Sequence, residues 1–226
     1  MAARGKSGYR FNWRDGNHFA LLIDGDQFFP RMLDRIVNAR KFVWLEMYLF
    51  ESGVVAARFI DALLAVADRG VSVRLLLDDF GSRGLSQDER LRLEHDNIEV
   101  SFYNKLRWAK LFDNMARDHR KLLIVDGEIA FVGGAGIADE FAPPDNKDRQ
   151  WRETMLEING PVLQDWQVLF AEVWLASSNH HIEDNFVAPE ALPDGRKGRV
   201  TVASGIRAQG IMRFLVNRIG ASEQRV

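Results

Sequence analysis

The sequence predicts an α/β protein in which a mixed, largely parallel sheet is covered by helices on both faces. Three observations predict this class. Helical and extended patterns alternate between residues 26 and 103. The candidate strands are almost wholly apolar, which is typical of strands that are buried on both faces. Further along, the pair Asp126-Gly127 lies between two apolar runs, which is a strong signal for a two-residue hairpin.

Each element has its own pattern. Apolar residues of the first helix recur at helical spacing, the second helix is followed by Gly70 as a C-cap residue, and the fourth carries a long apolar stripe that includes two tryptophans. The predicted helices cover residues 26–38, 54–68, 85–95 and 161–176. The predicted strands cover residues 42–50, 71–77, 98–103, 122–125, 129–132 and 154–158.

Composition excludes several classes of protein. The chain has 226 residues, of which 46% are hydrophobic and 27% charged, with a net charge of −2, so it is not intrinsically disordered. It lacks an apolar run long enough to predict a transmembrane helix, and its start lacks the apolar core of a secretory signal. The absence of cysteine excludes disulfides, thiolate metal sites and cysteine nucleophiles, and fits a reducing compartment. The length permits one domain or two.

The carboxyl-terminal part of the sequence contains a possible repeat. Residues 177–198 show no periodicity and are interpreted as a linker. A short strand at 200–203 is followed by an apolar stripe that matches the stripe of the first helix when Met212 is laid on Phe29. Amphipathic helices resemble one another, so a chance match and a true repeat both stay open. If the repeat is real, residues 16–176 are a first half and residues 199–226 are the start of a second.

A polar pair opens an otherwise apolar strand. His119 and Lys121 point to the same side of the predicted strand, about 6.6 Å apart along the chain. An imidazole beside an ammonium group suits a phosphate, because one can attack phosphorus while the other holds the nonbridging oxygens. Glycines at 133, 134 and 136 could bring backbone N–H groups to the same anion. The alternative is an edge strand whose first residues are polar because they are exposed.

The spacing His-x-Lys-x4-Asp-x6-Gly-Gly resembles the HKD signature of the phospholipase D superfamily. The likeness covers most of residues 16–176, and residues 25–82 resemble the opening of bacterial cardiolipin synthase-like enzymes. The HKD residues are His119, Lys121, Asp126, Gly133 and Gly134. Other matching segments are Glu46-x-Tyr48-x-Phe50, Asp68-Arg69-Gly70-Val71, Asp78-x-x-Gly81-Ser82, Trp151-Arg152-Glu153-Thr154 and Gly160-Pro161.

The resemblance implies a phosphodiester exchange that needs neither metal nor cofactor. His119 would attack phosphorus and form a phosphohistidine, Lys121 would stabilise the phosphoryl charge, and a second, protonated HKD histidine would serve the leaving group. Asp126 belongs to the motif, although its place in the hairpin turn favours a structural role. Candidate catalytic residues are His119, Lys121 and Asp126; candidate substrate-binding residues are Tyr48, Asp78, Gly133, Gly134, Gly136 and Glu153.

Three of these candidates carry alternatives. Many members of the superfamily have Asn where this chain has Gly136, so one expected side-chain donor to phosphate is replaced by a glycine. Glu153 could orient an imidazole or be a surface acid. Asp78 could line the pocket or belong to a plain turn. The pair His180-His181 lacks the spacing of metal ligands and is interpreted as part of a solvated loop.

The implied substrate is a glycerophospholipid such as phosphatidylglycerol. The shift that relates the two helical stripes would place a second HKD histidine beyond Val226, so three hypotheses remain. The second motif comes from a missing half, or from a second chain in a homodimer, or the chain only binds lipid headgroups. The basic and aromatic segment 105–117 suits an anionic membrane surface; a solvated loop is the alternative, and nucleic acid is the less favoured partner. We expect a cytoplasmic protein at the inner face of the cell membrane.

Overall fold

The computed structural model describes residues 11–105, 117–142, 151–182, 186–202 and 216–221. The strands are β1 (Arg14–Ile23), β2 (Phe42–Met47), β3 (Ser72–Asp78), β4 (Ile98–Tyr103), β5 (Lys121–Val125), β6 (Ile129–Gly133), β7 (Thr154–Asn159) and β8 (Arg196–Gly198). The helices are α1 (Gly25–Val37), α2 (Val54–Ala67), α3 (Gln87–Arg92) and α4 (Leu163–Ser178), with a short 3-10 helix at Asp139–Phe141. The α/β class is confirmed.

In the described part of the chain, eight strands form one mixed sheet in the order β4-β3-β2-β5-β6-β7-β1-β8. The parallel pairs are β2 with β3 and β3 with β4. The other five pairs are antiparallel, so the parallel share is smaller than expected. The cause is the direction of β5, which enters beside β2 in the opposite sense and continues through the hairpin into β6.

The sheet separates two hydrophobic clusters, because successive strand residues face opposite sides. Leu45 and Leu75 pack with α1 and α2 on one face. On the other face, Trp44 stacks on Phe170 of α4 at 5.0 Å between ring centroids, and Phe170 stacks on Trp174 at 5.9 Å. Helices therefore cover both faces, as expected.

The hairpin predicted from Asp126-Gly127 is confirmed, and it joins the end of β5 to the start of β6. Both residues have positive φ values, 55° and 71°, and the N–H of Glu128 donates to the carbonyl oxygen of Val125 at 3.0 Å, which closes the turn. The register pairs Val125 with Ile129 and Leu122 with Val132, so three residues lie between the paired strand ends where two were predicted. Because β5 is antiparallel to β2, its amino end lies beside the carboxyl ends of β2, β3 and β4. We call this border of the sheet the His119 edge.

Strand β1 was missing from the sequence prediction. It pairs with β7 over six residue pairs, from His18 opposite Asn159 to Ile23 opposite Thr154. Its start is fixed to α4, where Arg14 forms two hydrogen bonds with the buried carboxylate of Asp165, at 2.9 and 2.7 Å. The strand is therefore held by elements from the carboxyl-terminal half of the chain.

The region after α4 differs in detail from the prediction. A strand forms at β8, where it pairs with β1, and the predicted strand at 200–203 lies partly outside the described residues. Within the segment predicted as a linker, the backbone of Val187 exchanges two hydrogen bonds with the side chain of the buried Gln167. Most of the possible second repeat, residues 203–215 and 222–226, lies outside the described residues, and residues 216–220 are helical.

None of the helices in the described ranges combines the length and apolarity needed to cross a bilayer.

Candidate active site

His119 and Lys121 meet at the His119 edge as the sequence predicts. His119 immediately precedes β5, and Lys121 is its first residue. The Lys121 ammonium lies 3.1 Å from Nδ1 and 3.3 Å from Nε2 of the His119 ring, and it donates to the His119 carbonyl oxygen at 3.0 Å. Because an ammonium group only donates, a ring nitrogen that it contacts must accept, which is a property of neutral imidazole.

The ring of Tyr48 packs against both His119 and Lys121. Its ring centroid lies 4.4 Å from that of His119, tilted by 46°, and the Lys121 ammonium lies 5.1 Å from the same ring. The Tyr48 N–H donates to the carbonyl oxygen of Arg120 at 3.2 Å. Tyr48 thus joins the predicted site through its ring face and its backbone, and both contacts restrict the position of the imidazole.

Burial and charge act on the pKa values of both residues. Burial lowers the pKa of His119, and the nearby Lys121 ammonium lowers it further, against the opposing effect of Asp118 and Asp78. Burial also lowers the pKa of Lys121, while Glu153 and Asp118 raise it. His119 is therefore favoured in its neutral form at neutral pH, which is the form that can attack phosphorus.

Glu153 and the paired glycines border the site from the other side. Gly133 ends β6, and the N–H of Gly134 donates to the carbonyl oxygen of Thr154. A side chain at 134 would clash with the Glu153 carboxylate, so this carboxylate lies directly over Gly134. The Glu153 backbone is held in turn by Asp24, because the Glu153 N–H donates to Asp24 Oδ1 at 3.2 Å. The structure therefore brings Glu153, Gly133 and Gly134 to the same edge as His119.

Gly136 lies where the chain packs tightly against the residue after Tyr48. A Cβ atom at 136 would lie 2.6 Å from Cβ and 2.9 Å from the carbonyl oxygen of Leu49. The N–H of Ile137 donates to that same carbonyl oxygen at 2.9 Å, which holds the two segments together. A side-chain donor at this position would require Leu49 to move.

We therefore expect Gly136→Ala to lower the free energy of unfolding by about 1–3 kcal/mol, since the added methyl group overpacks a fixed contact. Urea denaturation measures the change. Gly220→Ala is the matched control, because a Cβ atom there would meet no described atom within 4 Å beyond its chain neighbours and its own helix backbone. Equal stability of the two variants would contradict the tight packing at 136.

The contacts of Asp126 favour the structural role that its place in the hairpin turn predicts, and its catalytic role stays a prediction. Asp126 lies at the opposite end of β5 from Lys121. Its carboxylate accepts backbone N–H groups from Arg40 at 3.0 Å, Lys41 at 2.7 Å and Phe42 at 3.0 Å. The motif aspartate therefore fixes the turn before β2 to the hairpin, which keeps β2 and β5 in register.

Asp126→Ala is expected to destabilise the protein by about 3 kcal/mol, because three N–H groups lose a charged acceptor and one of them is buried. Asp126→Asn should retain much of the stability, since an amide oxygen still accepts and Asn tolerates positive φ. Chemical denaturation measures both. The control is Glu128→Ala, which removes an exposed carboxylate 3.7 Å from Lys41 and should change little.

Asp78 borders the site but its carboxylate is fully engaged. It is buried, and Oδ1 accepts the N–H groups of Phe80 at 2.9 Å and Gly81 at 3.1 Å. Oδ2 accepts the N–H of Asp118 at 3.0 Å. Asp78 thus anchors the chain that leads into His119, and its role as a substrate ligand stays a prediction.

A buried ionic cluster lies behind the site, and the sequence patterns do not predict it. Glu46, Asp118 and Arg120 point to the face of the sheet opposite His119. Arg120 Nη2 lies 2.9 Å from Glu46, and Arg120 Nε lies 3.3 Å from Asp118. Burial raises the pKa of Glu46 well above its usual range, and Asp118 raises it further. One signal was present, because Glu46 is the single charged residue in the apolar run 42–50.

The basic segment 105–117 lies mostly outside the described residues, which include only Lys105 and Arg117 at its two ends. Arg117 Nη1 donates to the carbonyl oxygen of Asn104 at 3.3 Å and lies 3.6 Å from Asp78 Oδ1.

Comparison with known proteins identifies the family. Residues 32–174 match the family model described as cardiolipin synthase, PLD-like domain. The chain belongs to this family. Among the curated relatives of the chain is the major cardiolipin synthase ClsA of Bacillus subtilis, which is 34% identical over 197 residues, 84% of this chain and 40% of that protein. Cardiolipin synthase A of Pseudomonas fluorescens is 30% identical over 213 residues, 93% of this chain and 44% of that protein.

The chain therefore spans about 40% of the length of the curated relatives that it matches. Solved structures support the fold. NucT from Helicobacter pylori has a TM-score of 0.57 at 18% identity, covering 71% of this chain and 98% of that one. Nuc from Salmonella typhimurium, a phospholipase D family member, has a TM-score of 0.53 at 14% identity, covering 74% and 99%.

Proposed function

We propose that the chain transfers or hydrolyses phosphodiesters of glycerophospholipids such as phosphatidylglycerol, through a phosphohistidine on His119. The observation that carries this proposal is the contact of the Lys121 ammonium with the His119 imidazole at the His119 edge. The relatives named as cardiolipin synthases support a lipid phosphodiester as the substrate.

The proposed reaction uses His119, Lys121 and a second histidine. A nitrogen of neutral His119 attacks phosphorus, an N–P bond forms, and the bond to the leaving alkoxide breaks. Lys121 stabilises the charge on the nonbridging oxygens. A second, protonated histidine gives its proton to the alkoxide, then takes a proton from an alcohol or water, whose oxygen displaces His119 from phosphorus. Glu153, which raises the pKa of Lys121, helps to keep this ammonium charged.

The second histidine must come from outside this sequence. Of the five histidines, only His119 is followed two residues later by lysine. A large apolar surface supports association with a further half or a second chain. On β1, Phe19, Leu21 and Ile23 face the α4 side of the sheet but are 37%, 61% and 39% exposed. They adjoin the partly buried Leu156 of β7.

A second candidate is a homodimeric phosphodiesterase in which each chain contributes one HKD motif. One observation favours this arrangement. The structural match to this chain covers 98% of the NucT chain and 99% of the Nuc chain. Chains of this fold therefore exist that contain one phospholipase D-like half and little more. Both candidates use the same His119 and Lys121, and they differ in the origin of the second motif.

The test is headgroup exchange on phosphatidylglycerol vesicles, with lipid products identified by mass spectrometry. A specific activity that rises with protein concentration is expected for the homodimer. Activity that requires an added chain with a second HKD motif is expected for the missing half. Vesicle binding without turnover under either condition would contradict the proposed reaction and leave headgroup binding as the function. We further propose a peripheral position at the inner face of the cell membrane, which fractionation of cells tests.

A further inference from the structure

Two phenylalanines at the His119 edge are surrounded by cationic side chains. Phe80 follows β3, is 50% exposed, and has the guanidinium groups of Arg83 and Arg117 at 5.3 and 5.6 Å from its ring. Phe102 in β4 has the guanidinium of Arg90 at 5.0 Å and the ammonium of Lys105 at 5.6 Å. We call this group the basic–aromatic patch; its residues are Phe80, Arg83, Arg90, Phe102, Lys105 and Arg117.

The basic–aromatic patch is rigidly connected to the active site. The N–H of Phe80 donates to Asp78, the carboxylate that also accepts the N–H of Asp118 beside His119. Gly81 is packed so closely on the Tyr48 carbonyl oxygen that a side chain there would clash. Tyr48 in turn lies under the His119 ring. A surface that binds Phe80 would therefore lie at a fixed position relative to His119.

The cations of the patch divide into two groups. Arg90 donates to the carbonyl oxygens of Ser82 and Leu85 at 2.7 and 3.0 Å, and Arg117 lies near Asp78, so these two stiffen the patch. Among the described residues, no carboxylate forms an ion pair with Arg83 or Lys105. The charge of these two side chains is thus available to an anion outside the chain, which is the complement that an anionic surface provides.

We infer that the basic–aromatic patch docks this chain on the surface of an anionic phospholipid bilayer. Phe80 enters the boundary between headgroups and acyl chains, and Arg83 and Lys105 contact headgroup phosphates. The inference rests on the proposed function, because it supplies the surface from which a lipid phosphodiester reaches His119. An exposed aromatic ring flanked by arginine and lysine is the composition of proteins that lie on membranes.

Single-stranded nucleic acid is the main competing partner, and the geometry disfavours it. Sequence-tolerant binding of such strands uses aromatic faces on which bases stack. Two guanidinium groups already lie beside the Phe80 ring, at 5.3 and 5.6 Å, where they compete with a base for its faces. Half of the Phe80 side chain stays exposed, and an apolar side chain suits acyl chains.

The test is co-sedimentation of the full chain with vesicles of phosphatidylcholine that contain about one-third phosphatidylglycerol, compared with pure phosphatidylcholine. Arg83→Gln with Lys105→Gln should weaken binding to the anionic vesicles about 30-fold, roughly fivefold for each cation. Phe80→Ala should weaken it about fivefold to tenfold. Arg40→Gln with Lys41→Gln is the matched control for charge, and Val37→Ala the control for lost apolar surface, because all three residues lie at the opposite edge and are exposed.

Thermal unfolding confirms that each variant is folded before it is compared. The inference is overturned if wild-type protein does not prefer anionic vesicles, or if the patch variants bind them as the controls do. It is also overturned if the patch variants lose single-stranded DNA binding and keep vesicle binding. His119→Ala separates this inference from the proposed function, since it should bind vesicles like wild type while turnover is lost.

Discussion

His119→Ala will reduce the phosphodiester turnover of the assembled enzyme by about 10⁴-fold or more, because it removes the atom that forms the covalent intermediate. The fold should persist. His119 precedes β5 and is only partly buried, and its ring lies against Tyr48 and the Lys121 ammonium. The measurement is the initial rate of headgroup release under conditions in which wild type is active.

The control for this variant is His181→Ala, which removes an exposed imidazole from the segment after α4. It should leave turnover unchanged. A phosphorylated form of the chain, stable to alkali and labile to acid, should be trapped with wild type and the control but not with His119→Ala. Turnover that survives in His119→Ala at more than about one-hundredth of the wild-type rate would exclude His119 as the nucleophile.

Lys121→Met should lower kcat by about 10²- to 10³-fold, since one fixed cation is lost from the charge that develops on phosphorus. It should also change the pH profile in a direction that the electrostatics determine. His119 attacks as the neutral form, so turnover rises with pH through the pKa of His119, which lies below its ordinary value. Lys121 contributes to that lowering. Without its charge the pKa of His119 rises, and the acidic limb of the profile moves to higher pH.

The shift should be partial, because burial is the larger cause of the lowered pKa and persists in the variant. An NMR titration of the His119 ring follows the same change without requiring turnover. Lys41→Met provides a control, since this exposed lysine lies at the far end of the sheet. An acidic limb that stays fixed, or moves to lower pH, would show that Lys121 does not act on the His119 imidazole.

The sequence predicts the centre of the site well because the centre is local. His119 and Lys121 are two residues apart in one strand, so strand geometry alone places them on one side. The hairpin is equally local, because Asp126-Gly127 determines its turn type. These features depend on neighbours in the chain, and sequence patterns describe such neighbours directly.

The remaining features depend on partners that are distant in the sequence. The role of Asp126 emerges only when residues 40–42 are placed against the hairpin. Glu46 is conspicuous in the sequence as a charged residue in an apolar run. Its ionic contacts depend on Arg120 and Asp118, which lie just before β5 and are distant in the sequence. In strand β1 the apolar face that includes Leu21 is exposed while Leu22 on the other face is buried, and its partner β7 lies in the other half of the chain.

The pairing of β1 with β7 and β8 also determines the order in which the chain can complete its fold. Ile23 pairs with Thr154, and Arg14 pairs with Gly198, so during synthesis the first strand gains its first partner only after about two-thirds of this sequence has been made. Closing so long a loop delays folding, and during synthesis it leaves an unpaired edge with Phe19 and Leu21 exposed. The parallel strands β2 to β4 have nearer partners and can assemble earlier. Chaperone dependence during expression should therefore concentrate on the amino-terminal strand, and shortening the chain before β7 should trap a sheet that lacks one side of its active site.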